Sequence, residues 1–540
     1  MKEEIKEISG GAKNYRFLLK TPLKSRWQKI GIKKRAGVVV PLFSIFSKNS
    51  LGIGEIPDLK LVIDWCQITK NSILQVLPLN DSGFDFSPFN CQSSFALDPV
   101  YLSLRNLKGI KKENPEKELK ALAKKFPCNT KYVNYWVKKE KLKKLWQIFS
   151  KEKNFSSSFR KFIKKEKFWL EDYALFKTLK EINKEKSWEE WPECFKRRNK
   201  RSLLELKKKY AQELKFQKWL QWQLFEQLIR IRNYAKKNEI FLKGDLPFSV
   251  SRDSADVWSN PQYFKLNLAS GAPPDQFSPK GQRWGYPPYS WDRIFKDKFI
   301  YFGQKLKYFQ NFYHLFRIDH WIGLFRIWAI PFEVPLKEKG RIGFFYPRDE
   351  KIWQPKGEKI LKLIIKNIKA LPCAEDLGLL PSFSSEVLGN FGIPGTDVQR
   401  WAKNWQNLGF LGAQEYRKAS VATLSTHDLS FSPDWWEKEV KVAEKEKFLK
   451  LLSSGNEKNM TEENLKFINS TASIFVILPI FEWLFLDKTL KKKLSCLKIN
   501  KPGTISKKNF SLRMPISLEK LMAGSINNKI KEIISQAGRI

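Results

Sequence analysis

Between Gly37 and Asp98 the apolar positions gather in short unbroken runs on either side of a helical pattern: "VVVPLF", then "DLKLVIDWCQIT", then "ILQVLPL". Continuous apolar runs of this length suit strands covered on both faces, as in a parallel sheet flanked by helices. The order strand, helix, strand predicts the beginning of a βα repeat. From about Leu104 to Lys237 the period changes. Aromatic and aliphatic positions recur every three or four residues among Lys and Glu, as in "WLEDYALFKTLKEI" and "FQKWLQWQLFEQLIRIRNYAKK". That spacing predicts amphipathic helices whose aromatics form a core of their own.

After Lys237 the alternation resumes. "IFLKGD" ends at Asp245, "HLFRID" at Asp319, "ALPCAED" at Glu375 and Asp376, and "VATLSTHD" at Asp428, with helical stretches such as "FIYFGQKLKYFQNFY" and "GEKILKLIIKNIK" between some of them. "TDVQRW" reads as one more strand, and no eighth is evident. The expected fold class is α/β: a (β/α)8 TIM barrel with inserted helical and loop subdomains. Residues 1–36 form an N-terminal extension, 37–103 the start of the barrel, 104–237 a mainly helical insertion, and 238–540 the remainder with substrate-binding loop insertions. In such a barrel the carboxyl ends of all strands open on one face. Four apolar runs that each finish on a carboxylate would therefore bring acids distant in sequence to one rim. Four unrelated structural ion pairs explain the placement less well.

The most apolar stretch, "IFVILPIFEWLFL" (Ile474 to Leu486), is short for a membrane span and contains Pro479 and Glu482, so a buried helix is expected there. The amino terminus lacks the apolar core of a signal peptide. Six cysteines lie far apart without CxxC pairs or neighbouring histidines, which fits neither a disulfide framework nor a zinc site. A cytoplasmic protein without membrane partners is expected. The formal charge of +43 raises the question of nucleic acid. The lysines, however, run through the whole chain without zinc-finger or RNA-recognition spacing, so they read as solvated surface and no specific nucleic-acid partner is expected.

Two carboxylates suffice to break a glycosidic bond: one attacks the anomeric carbon, the other, kept protonated, protonates the departing oxygen, about 5 to 5.5 Å apart in the retaining arrangement. Arg317, two residues before Asp319 on the same strand face, favours an ionised nucleophile. The apolar "LPCA" before Glu375 would desolvate that carboxyl and raise its pKa, as an acid requires. Asp428 with His427 would contact sugar hydroxyls. Of three histidines, His314, His320 and His427, two adjoin these acids. The Gly-, Pro- and aromatic-rich stretch "DQFSPKGQRWGYPPYSWD" (Asp275 to Asp292) reads as a long ordered loop, neither strand nor helix, able to stack sugar rings.

Taken in order, "LGIGEIPDL", "LQVLPLNDSG", "SPFNCQSSFALDPVYL", "GDLPFSVSRDSADVW", "GAPPDQFSPKGQRWG", "FRIDHWIGLFRIWAIP", "AEDLGLLP", "GIPGTDV" and "STHD" resemble the amylomaltases or disproportionating enzymes, 4-α-glucanotransferases of the α-amylase superfamily, over nearly the whole chain. The resemblance implies Asp319 as nucleophile, Glu375 as acid/base and Asp428 as transition-state stabiliser. It implies Arg317 and His427 as flanking substrate contacts and Asp245 and Trp258 as site-lining positions. Phe277, Trp284, His320 and Phe89 complete the expected substrate-binding set. It further implies transfer of an α-1,4-glucan segment to the 4-hydroxyl of another glucan or glucose, on malto-oligosaccharides, glycogen or starch-type substrates, with no metal or organic cofactor. An α-1,4-glucan hydrolase using the same carboxylates and a non-catalytic glucan binder are the alternatives. The chain departs from the family pattern at Phe89 and Gln276, where tyrosine is usual, at Tyr286, where asparagine is usual, and at Phe510, where tryptophan is usual. These departures bear on chain-length preference and leave the three carboxylates untouched.

Overall fold

The computed structural model describes residues 12–109, 116–275, 278–404, 409–452 and 459–539. Eight parallel strands form its centre: β1 (Arg35–Val40), β2 (Ile73–Val76), β3 (Phe241–Leu246), β4 (Leu315–Ile318), β5 (Leu371–Ala374), β6 (Gly395–Val398), β7 (Ser420–Thr423) and β8 (Phe475–Pro479). The ladder runs β6-β7-β8-β1-β2-β3-β4-β5. Its two ends meet where Ala374 N–H donates to Pro394 O at 2.8 Å and Thr396 Oγ1 donates to Ala374 O at 2.8 Å. The sheet is thereby nearly closed, the (β/α)8 architecture in which side chains fill the interior and loops at the carboxyl ends carry the site. Gly244 sits in β3 because a Cβ there would come within 2.7 Å of the Tyr313 and Phe309 rings packed outside the barrel.

The strand β8 occupies the stretch in which the sequence suggests a buried helix. All five of its residues are buried, and it pairs on both sides, with β1 and β7. "FVIL" supplies the β-branched, two-faced apolar run that an interior parallel strand needs, and Pro479 ends it without requiring a donated hydrogen bond. A short helix, Ile480–Leu484, follows at once. The Asp275 to Asp292 stretch differs from expectation at two points: Gln282–Arg283 forms a short strand, and a helix begins at Trp291. Gln282–Arg283 is the edge of a small antiparallel sheet with Leu268–Ala272, Ile327–Pro331 and Phe344–Tyr346.

Between β2 and β3 the described chain from Glu116 to Lys237 is helical apart from its connections. The longest helix, Ala211–Lys237, packs along Lys167–Ile182. Three of its buried glutamines bond backbone in both directions: Gln221 with Leu97, Gln227 with Ser103 and Gln223 with Lys108, all at 2.8 to 3.0 Å. A buried ionic cluster closes the same seam. Lys138 Nζ lies 2.9 Å from Asp81 and 2.8 Å from Asp98, Lys177 lies 3.1 Å from Asp81, and Tyr173 donates to Asp81 at 2.9 Å. Burial alone would raise the Asp81 carboxyl, yet Lys138 and Lys177 override it and hold it below the usual carboxylate range.

Candidate active site

Alternation along β3 turns Lys243 and Asp245 inward on either side of Gly244, and β4 does the same with Leu315 and Arg317. The register sets Asp245 opposite Arg317. Arg317 Nη1 donates to both oxygens of Asp245, at 2.8 and 3.0 Å. The same nitrogen lies 2.9 Å from Asp319 Oδ1, just past the end of β4, and Nη2 lies 3.9 Å from Glu375 Oε2, just past the end of β5. One guanidinium thus joins three carboxylates contributed by three neighbouring strands.

That arrangement leaves more negative than positive charge. Burial pushes the Glu375 carboxyl up to about 8, Arg317 acting to lower it and the charge of Asp319 to raise it further. Asp245 is raised for the same first reason, with Arg317 opposing. Burial would lower Arg317, but Asp245, Asp319 and Glu375 together hold it above its ordinary value, so it is charged at every accessible pH. His320 adopts φ +43°, a left-handed conformation that residues with a side chain seldom hold. Its N–H donates to Glu375 Oε2 at 2.7 Å, which ties the turn after β4 to the carboxyl after β5. Burial pushes the His320 imidazole down to about 4, so the ring is neutral near pH 7. Trp284 packs edge-on against that ring with centroids 4.8 Å apart.

Asp428 lies five residues beyond β7 on a loop, its side chain 43% exposed. It accepts a bond from Asn500 Nδ2 at 2.7 Å and faces His427 Nε2 at 3.5 Å. His427 in turn acts through space on Asp245 and stacks on Phe89, centroids 4.7 Å apart and planes 17° apart, with Phe510 6.0 Å from both rings. The Phe89 and His427 rings therefore stand together beside the third acid. Among the described residues no group of three or more His, Cys, Asp or Glu side chains is placed to hold a metal ion.

Trp258 stands elsewhere. Its indole is 1% exposed, donates to Phe195 O at 3.0 Å, and packs against Trp191 and under Arg198. It joins the helical insertion to the barrel and offers no face to a sugar, because its whole ring is consumed by packing. Phe277, like Gln276, lies outside the described residues. His314 sits at the opposite end of β4, where its Nδ1 accepts from Leu242 N–H and burial pushes it down to about 4. Asn500 was not foreseeable as a partner of Asp428, since the two lie 72 residues apart in the chain. Tyr286 lies within electrostatic reach of Asp319, and burial holds its phenol well above the ordinary value.

A nearly closed parallel barrel whose carboxyl rim gathers acids around one buried arginine has the layout of a barrel enzyme that cleaves glycosidic bonds. Residues 40–518 match the family model described as 4-alpha-glucanotransferase, and the chain belongs to that family. It is 37% identical to the 4-alpha-glucanotransferase of Chlamydia pneumoniae over 527 residues, covering 95% of this chain and 98% of that one. With the 4-alpha-glucanotransferase of Chlamydia caviae it shares 36% identity over 540 residues, covering 97% and 99%. In fold it is similar to an amylomaltase from Streptococcus agalactiae solved in complex with acarbose, at a TM-score of 0.79 and 24% identity over 94% of this chain and 100% of that chain. No described helix is long and apolar enough to cross a membrane.

Proposed function

We propose that the rim cluster carries out glucan transfer by double displacement, with Asp319 as nucleophile, Glu375 as acid and base, and Asp428 as a partner of the positively charged ring in the transition state. The observation that carries this reading is the shared Arg317, which pairs closely with Asp319 while Glu375 stays protonated near neutral pH. Asp319, paired with Arg317, attacks the anomeric carbon of an α-1,4-linked unit. Glu375 gives its proton to the departing 4-oxygen, and the released glucan leaves a β-linked glycosyl ester on Asp319. The 4-hydroxyl of an incoming glucan then gives its proton to Glu375 and attacks that ester from the opposite face, restoring the α linkage. Trp284, Phe89 and the neutral His320 supply flat apolar surface for sugar rings.

The substrates on this reading are malto-oligosaccharides and the longer α-1,4-glucans of glycogen or starch type. The six unpaired cysteines fit a reducing compartment, and the cytoplasm is the setting we infer. Incubation of the purified protein with maltotriose tests the reaction. A ladder of longer oligosaccharides plus free glucose, at constant total reducing ends, is expected. Rising reducing ends without longer products would replace transfer with hydrolysis.

A further inference from the structure

Asp428 rides on a loop that leaves β7 at Leu424 and re-enters a helix at Ser432 (Ser432–Lys438). A half-exposed carboxylate on such a loop keeps its position only if the loop is held from beneath. Glu482, in the short helix after β8, is 1% exposed and receives donors from both ends of that loop. Ser425 Oγ donates to Oε1 at 2.5 Å. Ser432 donates from its N–H at 3.0 and 3.2 Å to the two oxygens and from its Oγ to Oε2 at 2.5 Å. Between these ends, buried Arg400 donates to Ser430 O at 2.6 Å and to Ser430 Oγ at 3.0 Å. Thr423 Oγ1 adds a bond to Ser425 O at 2.9 Å.

A buried carboxyl without a salt-bridge partner among the described residues is expensive to keep, and burial raises its pKa here against the opposing serine bonds and the more distant charge of Arg400. An apolar residue would fill the same space more stably if packing were the whole requirement. What an apolar residue cannot do is hold two chain segments seven residues apart at fixed separation through four directed bonds. We propose that Glu482 is a positioning residue for the reaction: it fixes the two ends of the 425–432 loop and so sets where Asp428 stands. The inference rests on the role given to Asp428 above.

The test measures disproportionation of maltotriose, and fluoride release from α-maltosyl fluoride for slow variants, in Glu482→Gln, Ser425→Ala, Asp428→Asn and the Glu482→Gln/Asp428→Asn double variant. Circular dichroism first establishes that each is folded at the assay temperature. Glu482→Gln is expected to lower kcat about 10- to 100-fold with KM within about threefold, since a displacement near 1 Å has effects of that size. Ser425→Ala, which removes one bond only, should lower kcat by a smaller factor. In the Asp428→Asn background Glu482→Gln should lower kcat no further, because both changes act through one group. Hydrogen exchange at the 425–431 amides should quicken in Glu482→Gln. An equal fold-loss in both backgrounds, or a Tm change with kcat and exchange untouched, overturns the proposal. Full activity of Asp428→Asn together with faster exchange in Glu482→Gln would remove the role of Asp428 and leave the anchor standing.

Discussion

Two of the buried ionic clusters in this molecule are built to opposite ends. At the seam between helices and barrel, Asp81 and Asp98 meet Lys138 and Lys177, two acids against two cations. At the rim, Asp245, Asp319 and Glu375 share Arg317, three acids against one. The seam is matched in charge: Lys138 and Lys177 hold Asp81 below the usual carboxylate range, while burial raises its neighbour Asp98. At the rim burial, opposed by Arg317 and reinforced by the charge of Asp319, pushes Glu375 up to about 8. A cluster that gives each buried acid a cation serves the fold. One that buries more acids than cations leaves a proton to be moved, and that combination of burial and surplus charge marks the chemistry.

The contrast is broken most severely by removing one charge at each place. Asp319→Asn should lower kcat/KM by about 10⁴-fold or more, as removal of a covalent nucleophile does, while leaving thermal stability equal or higher, because it relieves the excess of charge. Product formation from maltotriose and Tm by calorimetry read the two effects. Lys138→Met should do the reverse: it strands Asp98 and weakens the hold on Asp81, destabilising the protein by about 3–5 kcal/mol, with kcat per folded molecule retained. Urea titration and active-site-normalised rates check this, and a variant that stays stable would deny the seam its role.

A finer comparison uses pH. Glu375 must carry its proton for the first step, so kcat/KM should fall tenfold per unit as pH rises through about 8, where its carboxyl ionises. A limb at ordinary carboxylate pH would show that burial and the neighbouring Asp319 do not govern this group. The same shift has a sign for stability. Its folded pKa stands above the unfolded value of 4.5, so its contribution is complete below that value and drains away as pH rises through about 8. Glu375→Gln escapes this loss, and its Tm should exceed that of the parent by about several degrees in alkaline buffer and match it in acid. The smallest effect is expected at Phe89, which stacks on His427: Phe89→Tyr should move KM for maltotriose by less than about tenfold, with kcat nearly unchanged.

The strands that carry Asp245 or lead into Asp319 and Glu375 are legible because each short, mostly apolar run closes on a carboxylate. The pairing of Arg317 with Asp319 followed from their separation by two along one strand. β8 was hidden for the opposite reason. "IFVIL" passes into the helix Ile480–Leu484 without a polar residue between them, so one unbroken apolar stretch conceals a change of period at Pro479. Trp258 is a site-lining position by resemblance, and only its burial and its bond to Phe195 reveal a packing role. Asn500 and Asp428 meet across 72 residues of chain, and no local pattern encodes such a return. Glu482 stood out in the sequence only as an acid that interrupts an apolar run.

The three glutamines on the helix Ala211–Lys237 have an implication for how this enzyme can change. Each supplies both a donor and an acceptor to one residue of the 97–108 segment, so removing this helix would leave an amide and a carbonyl bare at Leu97, Ser103 and Lys108 alike. The inner helix is thus sewn into the barrel, and neither can be changed at these three positions without exposing the other's polar groups.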